Sequence, residues 1–265
     1  MGSDAERRNV LAERRNVLLA ISNRIDLLNE ETVNAFLRST QQMNSNAERR
    51  NVLLAFIKTY PANQSLPVAF DEALQSFSSD AERRNVLLAA LTERPNSDGP
   101  GLDRLLEAVE DMQSSSEKRN VLIKLAGRYP QRRELPDTFY RTTGGINSIS
   151  EFIEVYAMVI NRTSLSRQTV SAILASTANT RRIDADNARS SLRLAEFLIE
   201  LAFQHRIDGD LISAYRNLAN VIPHSGQRER VLSRLERDGR VEGWKDRRTK
   251  RSSPPLLSFH LNLQV

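Results

Sequence analysis

The heptapeptide Ala-Glu-Arg-Arg-Asn-Val-Leu stands four times in this chain, at 5–11, 12–18, 47–53 and 81–87. Self-similarity at a fixed period constrains a fold more than any local propensity, because each copy must meet the same surroundings as the last. Tracking the Val-Leu pair gives Val17/Leu18, Val52/Leu53, Val86/Leu87 and Val121/Leu122, with steps of 35, 34 and 35 residues. Weaker echoes follow at Val155/Tyr156, Phe197/Leu198 and Val231/Leu232, after steps of 34, 42 and 34. About 35 residues is the length of two short helices and two turns.

The residues before each pair say why a helix starts there. Ser79 with Glu82 forms a capping box, in which the serine hydroxyl accepts from the third helical N–H and the glutamate reaches back to the cap's own N–H. The same spacing recurs at Ser3/Glu6, Ser45/Glu48, Ser114/Glu117 and Ser148/Glu151. At 100° per residue, Val86, Leu87, Ala90 and Leu91 share one sector, with Glu82, Asn85 and Ala89 opposite, so the helix is amphipathic. Arg83 points into the apolar sector and Arg84 lies at its edge. The first expectation is that their stems cover the core while the guanidiniums pair with acids such as Asp71, Glu72, Asp103 or Glu107. The sharper one is a partner-binding ladder of Arg49/Arg50, Arg83/Arg84 and Lys118/Arg119, joined by Asn51, Asn85 and Asn120 on the polar side.

Second helical patterns fill the gaps at 31–43, 68–77, 101–112 and, more weakly, 137–147. Leu102, Leu105, Leu106, Val109 and Met112 show the i, i+3, i+4, i+7 spacing of a core stripe. Proline and glycine punctuate the turns in TYPANQSLP, RPNSDGPG and YPQRRELP. Further helices are expected at 149–161, 166–176, 191–204 and 210–222, with an insertion around ANTRRIDADNARS. The Asp-x-Asp steps opened by Arg182-Ile183-Asp184 and Arg206-Ile207-Asp208 lack the glycine and glutamate of a calcium loop and are read as helix N-caps. Neither helix of a unit can bury its stripe alone, so stacking must supply the core. The adjacent copies at 5–18 ride one helix as consecutive heptads.

The expected fold is thus all-α: a right-handed α-solenoid of helix-turn-helix units over residues 1–239, followed by a basic, disordered tail over 240–265. The pattern S-D-x-E-R-R-x-V-L-L, followed by a second helix leading into another such start, resembles HEAT-like helical repeat regions of uncharacterised bacterial proteins. Some of those are attached to antibiotic-sensing membrane metallopeptidases. The resemblance covers roughly 3–238 and implies an α-helical interaction region without activity of its own; the metallopeptidase zinc motif is not in this sequence.

Charge and composition narrow the function. The chain carries +5 overall. Six basic and two acidic residues between Arg240 and Arg251 hold +4 of it, so the repeats are nearly neutral, whereas folded nucleic-acid binders concentrate positive charge on their surface. There is no cysteine, and the three histidines (His205, His224, His260) do not reach a metal-binding helix spacing. No nucleophile, phosphate loop or acid pair stands at a catalytic spacing. We therefore expect no catalysis, cofactor or metal, no membrane span and a cytoplasmic protein. The expected role is a protein-protein interaction scaffold holding another protein or peptide. The alternative is nucleic-acid binding through the arginine ladder and the tail cluster Lys245, Arg247, Arg248, Lys250 and Arg251.

Overall fold

In the computed structural model, residues 4–25, 29–94, 100–129, 134–160, 165–179 and 188–238 are described, with side chains omitted for 4–11, 100, 179, 188 and 236–238. These residues form thirteen helices. They are α1 (Asp4–Ser22), α2 (Glu30–Gln41), α3 (Asn46–Thr59), α4 (Val68–Gln75), α5 (Asp80–Glu93), α6 (Pro100–Glu110) and α7 (Ser115–Arg128). The series continues with α8 (Asp137–Gly144), α9 (Ile149–Ile160), α10 (Arg167–Asn179), α11 (Ala188–Gln204), α12 (Asp210–Asn220) and α13 (Ser225–Asp238). The expected basic tail and the Asp-x-Asp step at 184–186 lie outside the described residues.

Each helix packs chiefly on the one two places along the chain. The odd helices α1 to α13 form one layer and the even helices α2 to α12 a second, with the core between them. This is the stacked two-layer array of an α-solenoid. Both heptapeptide copies of the N-terminal duplication ride α1, as their spacing demands.

Helix starts follow the serines. Ser45, Ser79, Ser114 and Ser148 each accept, through Oγ, the N–H of Glu48, Glu82, Glu117 and Glu151 at 3.3, 3.4, 3.4 and 3.4 Å. Such a cap is worth about 1 kcal/mol. Among the even helices Ser166 Oγ caps α10 by accepting from Thr169 N at 3.1 Å, while α2, α4 and α8 start by other means. Asn29 Oδ1 caps α2 by accepting from Thr32 N at 2.8 Å, while Pro67 and Pro136 occupy the N-cap positions of α4 and α8. Those two helices have only eight residues each. They end at Gln75 and Gly144, two and three residues before their expected helical patterns do.

The Val-Leu register sets the core. Val52, Leu53, Val86, Leu87, Val121, Leu122, Val155, Tyr156, Phe197, Leu198 and Val231 are all buried. Aromatic rings concentrate at two places in the row. Phe56 stacks with Phe36, Tyr60 and Phe70 at centroid distances of 5.8, 4.9 and 5.9 Å. Tyr156 packs edge-on against Phe152 at 4.7 Å and lies 6.4 Å from Tyr140.

One expected cap is placed differently. Asp208 does not cap α12; the N-cap is Gly209, at φ +54, a backbone region that favours glycine. A Cβ there would stand 2.8 Å from Arg167 Nη2. Asp208 instead pairs with Arg167 and, at 2.8 Å, with Arg206.

Candidate functional site: the motif arginines and the even-helix face

At α3, α5 and α7 the first basic residue of the motif is buried and donates to backbone carbonyls; on α1 its counterpart Arg14 is half-buried and reaches forward to Ser39 O at 3.0 Å and Gln42 Oε1 at 2.6 Å. Arg83 donates to the carbonyls of Phe77 (2.8 Å) and Gln75 (3.5 Å), at the end of α4. Arg49 donates to Thr40 (3.2 Å), Gln41 (3.1 Å) and Met43 at the end of α2, and also to Ser76 at the end of α4 in the next unit. Lys118 donates to Glu110 O at 2.9 Å, at the end of α6. Arg228, in the last echo of the motif, donates to Ile222 O at 3.3 Å. The shared geometry is a cation six or eight residues after the carbonyl it caps. A helix C-terminus carries unsatisfied carbonyls and a partial negative charge, so a buried cation there satisfies both. Burial lowers the pKa of Arg49 and of Lys118, opposed at Lys118 by Glu110, Asp80 and Asp111.

The second arginine works between units within the odd layer. Arg50 Nη1 meets Glu82 Oε2 at 2.7 Å and Arg84 Nη1 meets Glu117 Oε2 at 2.5 Å. Arg15 lies 3.8 Å from Glu48, and Arg119 lies 3.2 Å from Glu154. Asn16, Asn51 and Asn85 each hold the arginine before them. Asn51 Oδ1 accepts from Arg50 at 3.2 and 3.0 Å, and Asn85 Oδ1 accepts from Arg84 at 3.3 and 3.0 Å. Asn85 and Asn120 also donate to Glu82 and Glu117, each at 3.4 Å. These pairs therefore run along the odd layer, and not to Asp71, Glu72, Asp103 or Glu107 as the sequence had suggested.

The capping boxes are half formed for the same reason. Glu82 and Glu117 spend Oε2 on the arginine of the preceding unit. The Ser114 N–H, which Glu117 was expected to take, donates instead to Asp80 Oδ2 at 2.7 Å, alongside Gln113 N at 2.7 Å. Asn46 and Ser115 repeat this latch in the same register. Asn46 Nδ2 donates to Ser78 Oγ at 2.7 Å, and Ser115 Oγ accepts from Asn147 N at 3.0 Å. Sequence reasoning missed these residues, although Asn46, Asp80 and Ser115 follow one another at the repeat period and all directly succeed a cap serine.

The even layer presents a different surface. Helices α2, α4, α6 and α8 together carry eight acidic residues against three arginines. Glu30, Glu31, Glu72, Glu107, Asp111 and Asp137 are exposed. Arg104 is engaged by Asp71 at 3.1 Å and Arg141 by Glu110 at 3.0 Å. Glu30, Glu31, Glu107, Asp111 and Asp137 have no ion-pair partner among the described residues. All seven odd helices together carry nineteen basic against fifteen acidic residues, so charge is segregated by layer. A groove of about 420 Å³ opens at one end of the acidic face, lined by Glu30, Tyr60, Gln64, Leu66 and Arg104 among others. Within the even layer, desolvation pushes the Asp71 carboxyl up to about 6, against the opposing pull of Arg104.

No helix of the described residues is long and apolar enough to cross a membrane. Compared with known proteins, the chain matches no family model, no curated protein and no solved structure.

Proposed function

We propose that this protein is a non-catalytic, HEAT-like interaction scaffold whose even-helix face holds a basic segment of a partner protein. The observation that carries this reading is the division of labour between the layers. Arg49, Arg50, Arg83, Arg84, Lys118 and Arg119 have internal partners, whereas the acids of α2, α4, α6 and α8 together exceed the bases there by five. Complementary potentials speed encounter and select partners by sign. The same division weighs against nucleic acid as the ligand of the repeats, since an acidic face repels phosphate. That alternative then rests on Lys245, Arg247, Arg248, Lys250 and Arg251.

The test is fluorescence anisotropy with a labelled Arg/Lys-rich peptide and, separately, a labelled RNA oligonucleotide, on the full chain and on a 1–239 truncation. The peptide is expected to bind both forms. Its affinity is expected to fall about tenfold or more when Glu72, Glu107, Asp111 and Asp137 are changed to lysine, and to weaken with salt. RNA binding that survives the truncation and is lost in Arg50→Ala/Arg84→Ala would sink the reading.

A further inference from the structure

The Val-Leu register contains one exposed member among the described residues, and it lies on α1. Val52, Val86, Val121, Val155 and Val231 are buried, Val52 with 0% of its surface exposed, whereas Val17 is 58% exposed. Ala20 and Arg24 are exposed beside Val17 and Ile21 is half-buried. Together the four line a shallow apolar groove of about 320 Å³.

We infer that this face of α1 is a self-association surface, on which a second copy of this chain lays its own α1 antiparallel across a two-fold axis. The arrangement of residues selects that occupant. Glu13, Val17 and Ala20 follow along α1 at steps of four and three, the spacing of a helix–helix seam, and Arg24 borders the same groove from the turn just past Ser22, where α1 ends. Antiparallel pairing about the midpoint of Val17 and Ala20 sets each Val17 against the partner's Ala20 and each Glu13 against the partner's Arg24, twice by symmetry. Such self-complementarity is what an isologous contact requires. Parallel pairing would instead oppose Glu13 to Glu13 and Arg24 to Arg24. Within the chain, neither Glu13 nor Arg24 has an ion-pair partner among the described residues. The small Ala20 lets the two helices approach closely, at about 8–10 Å between axes. This inference is independent of the acidic face and its ligand.

Sedimentation velocity on the full chain across about 1–200 μM tests it. The expected result is a monomer of 30.0 kDa at the low end passing to a species of twice that mass. Val17→Glu is expected to abolish the dimer; because Val17 is exposed, the helical circular dichroism should be unchanged. Glu13→Arg and Arg24→Glu should each weaken dimerisation roughly tenfold, by placing like charges together. The double swap Glu13→Arg/Arg24→Glu should restore it. A chain that stays monomeric throughout, a dimer indifferent to Val17→Glu, or a double swap no tighter than either single change would each overturn the proposal.

Discussion

Two stretches of the odd layer solve one packing problem differently. At α3, α5 and α7 the position three residues before the register valine holds Arg49, Arg83 or Lys118, a buried cation on the end of the preceding even helix. At α9 and α11 the same position holds Phe152 and Leu194, both fully buried. The helix before Phe152, α8, ends at Gly144, and its last turn is tied by Thr142 and Thr143 hydroxyls donating back to Thr138 O and Phe139 O, each at 2.7 Å. Around Phe152 lie Tyr156 and, through it, Tyr140 and Phe197. Polar capping and aromatic packing are alternative ways to close the same joint. The array passes from one to the other at the fourth step of the register, the 34 residues from Val121 to Val155, without changing its layer order.

The ion pairs between units change one step later. From α1 to α7 the arginine of one unit meets the glutamate of the next. Arg119 keeps that order in reaching Glu154 of α9 at 3.2 Å, and the order reverses only at the next step, where Arg193 of α11 reaches back to the same Glu154 at 3.6 Å. A single carboxylate thus joins the two halves of the molecule electrostatically.

The sharpest way to break this contrast is to carry the cap into the aromatic half. Phe152→Arg should destabilise by about 3–5 kcal/mol, since it removes a buried ring and leaves a charge among apolar neighbours. Urea unfolding reads it, and a loss below about 1 kcal/mol would mean that the two joints are interchangeable. The converse change, Arg83→Leu, should cost about 2–3 kcal/mol by stranding the carbonyls of Phe77 and Gln75. Arg83→Lys should lose less than half of that, because Lys118 already serves at the next joint.

Smaller effects belong to the pairs between units. Arg84 and Glu117 remain partly exposed, so a double-mutant cycle on Arg84→Ala and Glu117→Ala should give a coupling of about 0.5–1 kcal/mol. It should shrink in high salt. The smallest effect is a pH dependence at Asp71. Its folded pKa, about 6, is raised from 3.8 by desolvation. The folded state therefore holds a proton between those values that the unfolded chain has released, and this contribution to stability is lost as pH rises through about 6. Compared with the wild type, Asp71→Asn should gain melting temperature on moving from pH 4 to pH 7.

Much of the fold was legible because repetition amplifies weak signals. A single Ser-x-x-Glu is a common pattern, but the same spacing before four successive register pairs located α3, α5, α7 and α9 and marked their buried faces. The eight-residue α4 and α8 came out shorter than their apolar runs, because hydrophobic spacing carries no record of where the backbone turns away. The arginines were placed on the correct faces and given the wrong partners. A helical wheel shows where a side chain leaves its own helix, and Arg83 is held by carbonyls, which have no signature in a sequence. Asp80 was overlooked because its partners are the backbone N–H groups of Gln113 and Ser114, a full repeat away. The acidic surface of the even helices could have been found by summing charge helix by helix instead of over the whole body, where the odd layer cancels it.

Central to this account is the buried cation at the start of α3, α5 and α7, which secures the end of the even helix before it. Hydrogen exchange on the wild type and on Arg83→Leu tests that claim most directly, since stability in a repeat array is set by each unit and its neighbours. Faster exchange is predicted in the last turn of α4 and in residues 76–79, with α8 and α9 keeping their wild-type protection. Unchanged protection at the end of α4, or a loss spread evenly from α1 to α13, would contradict it.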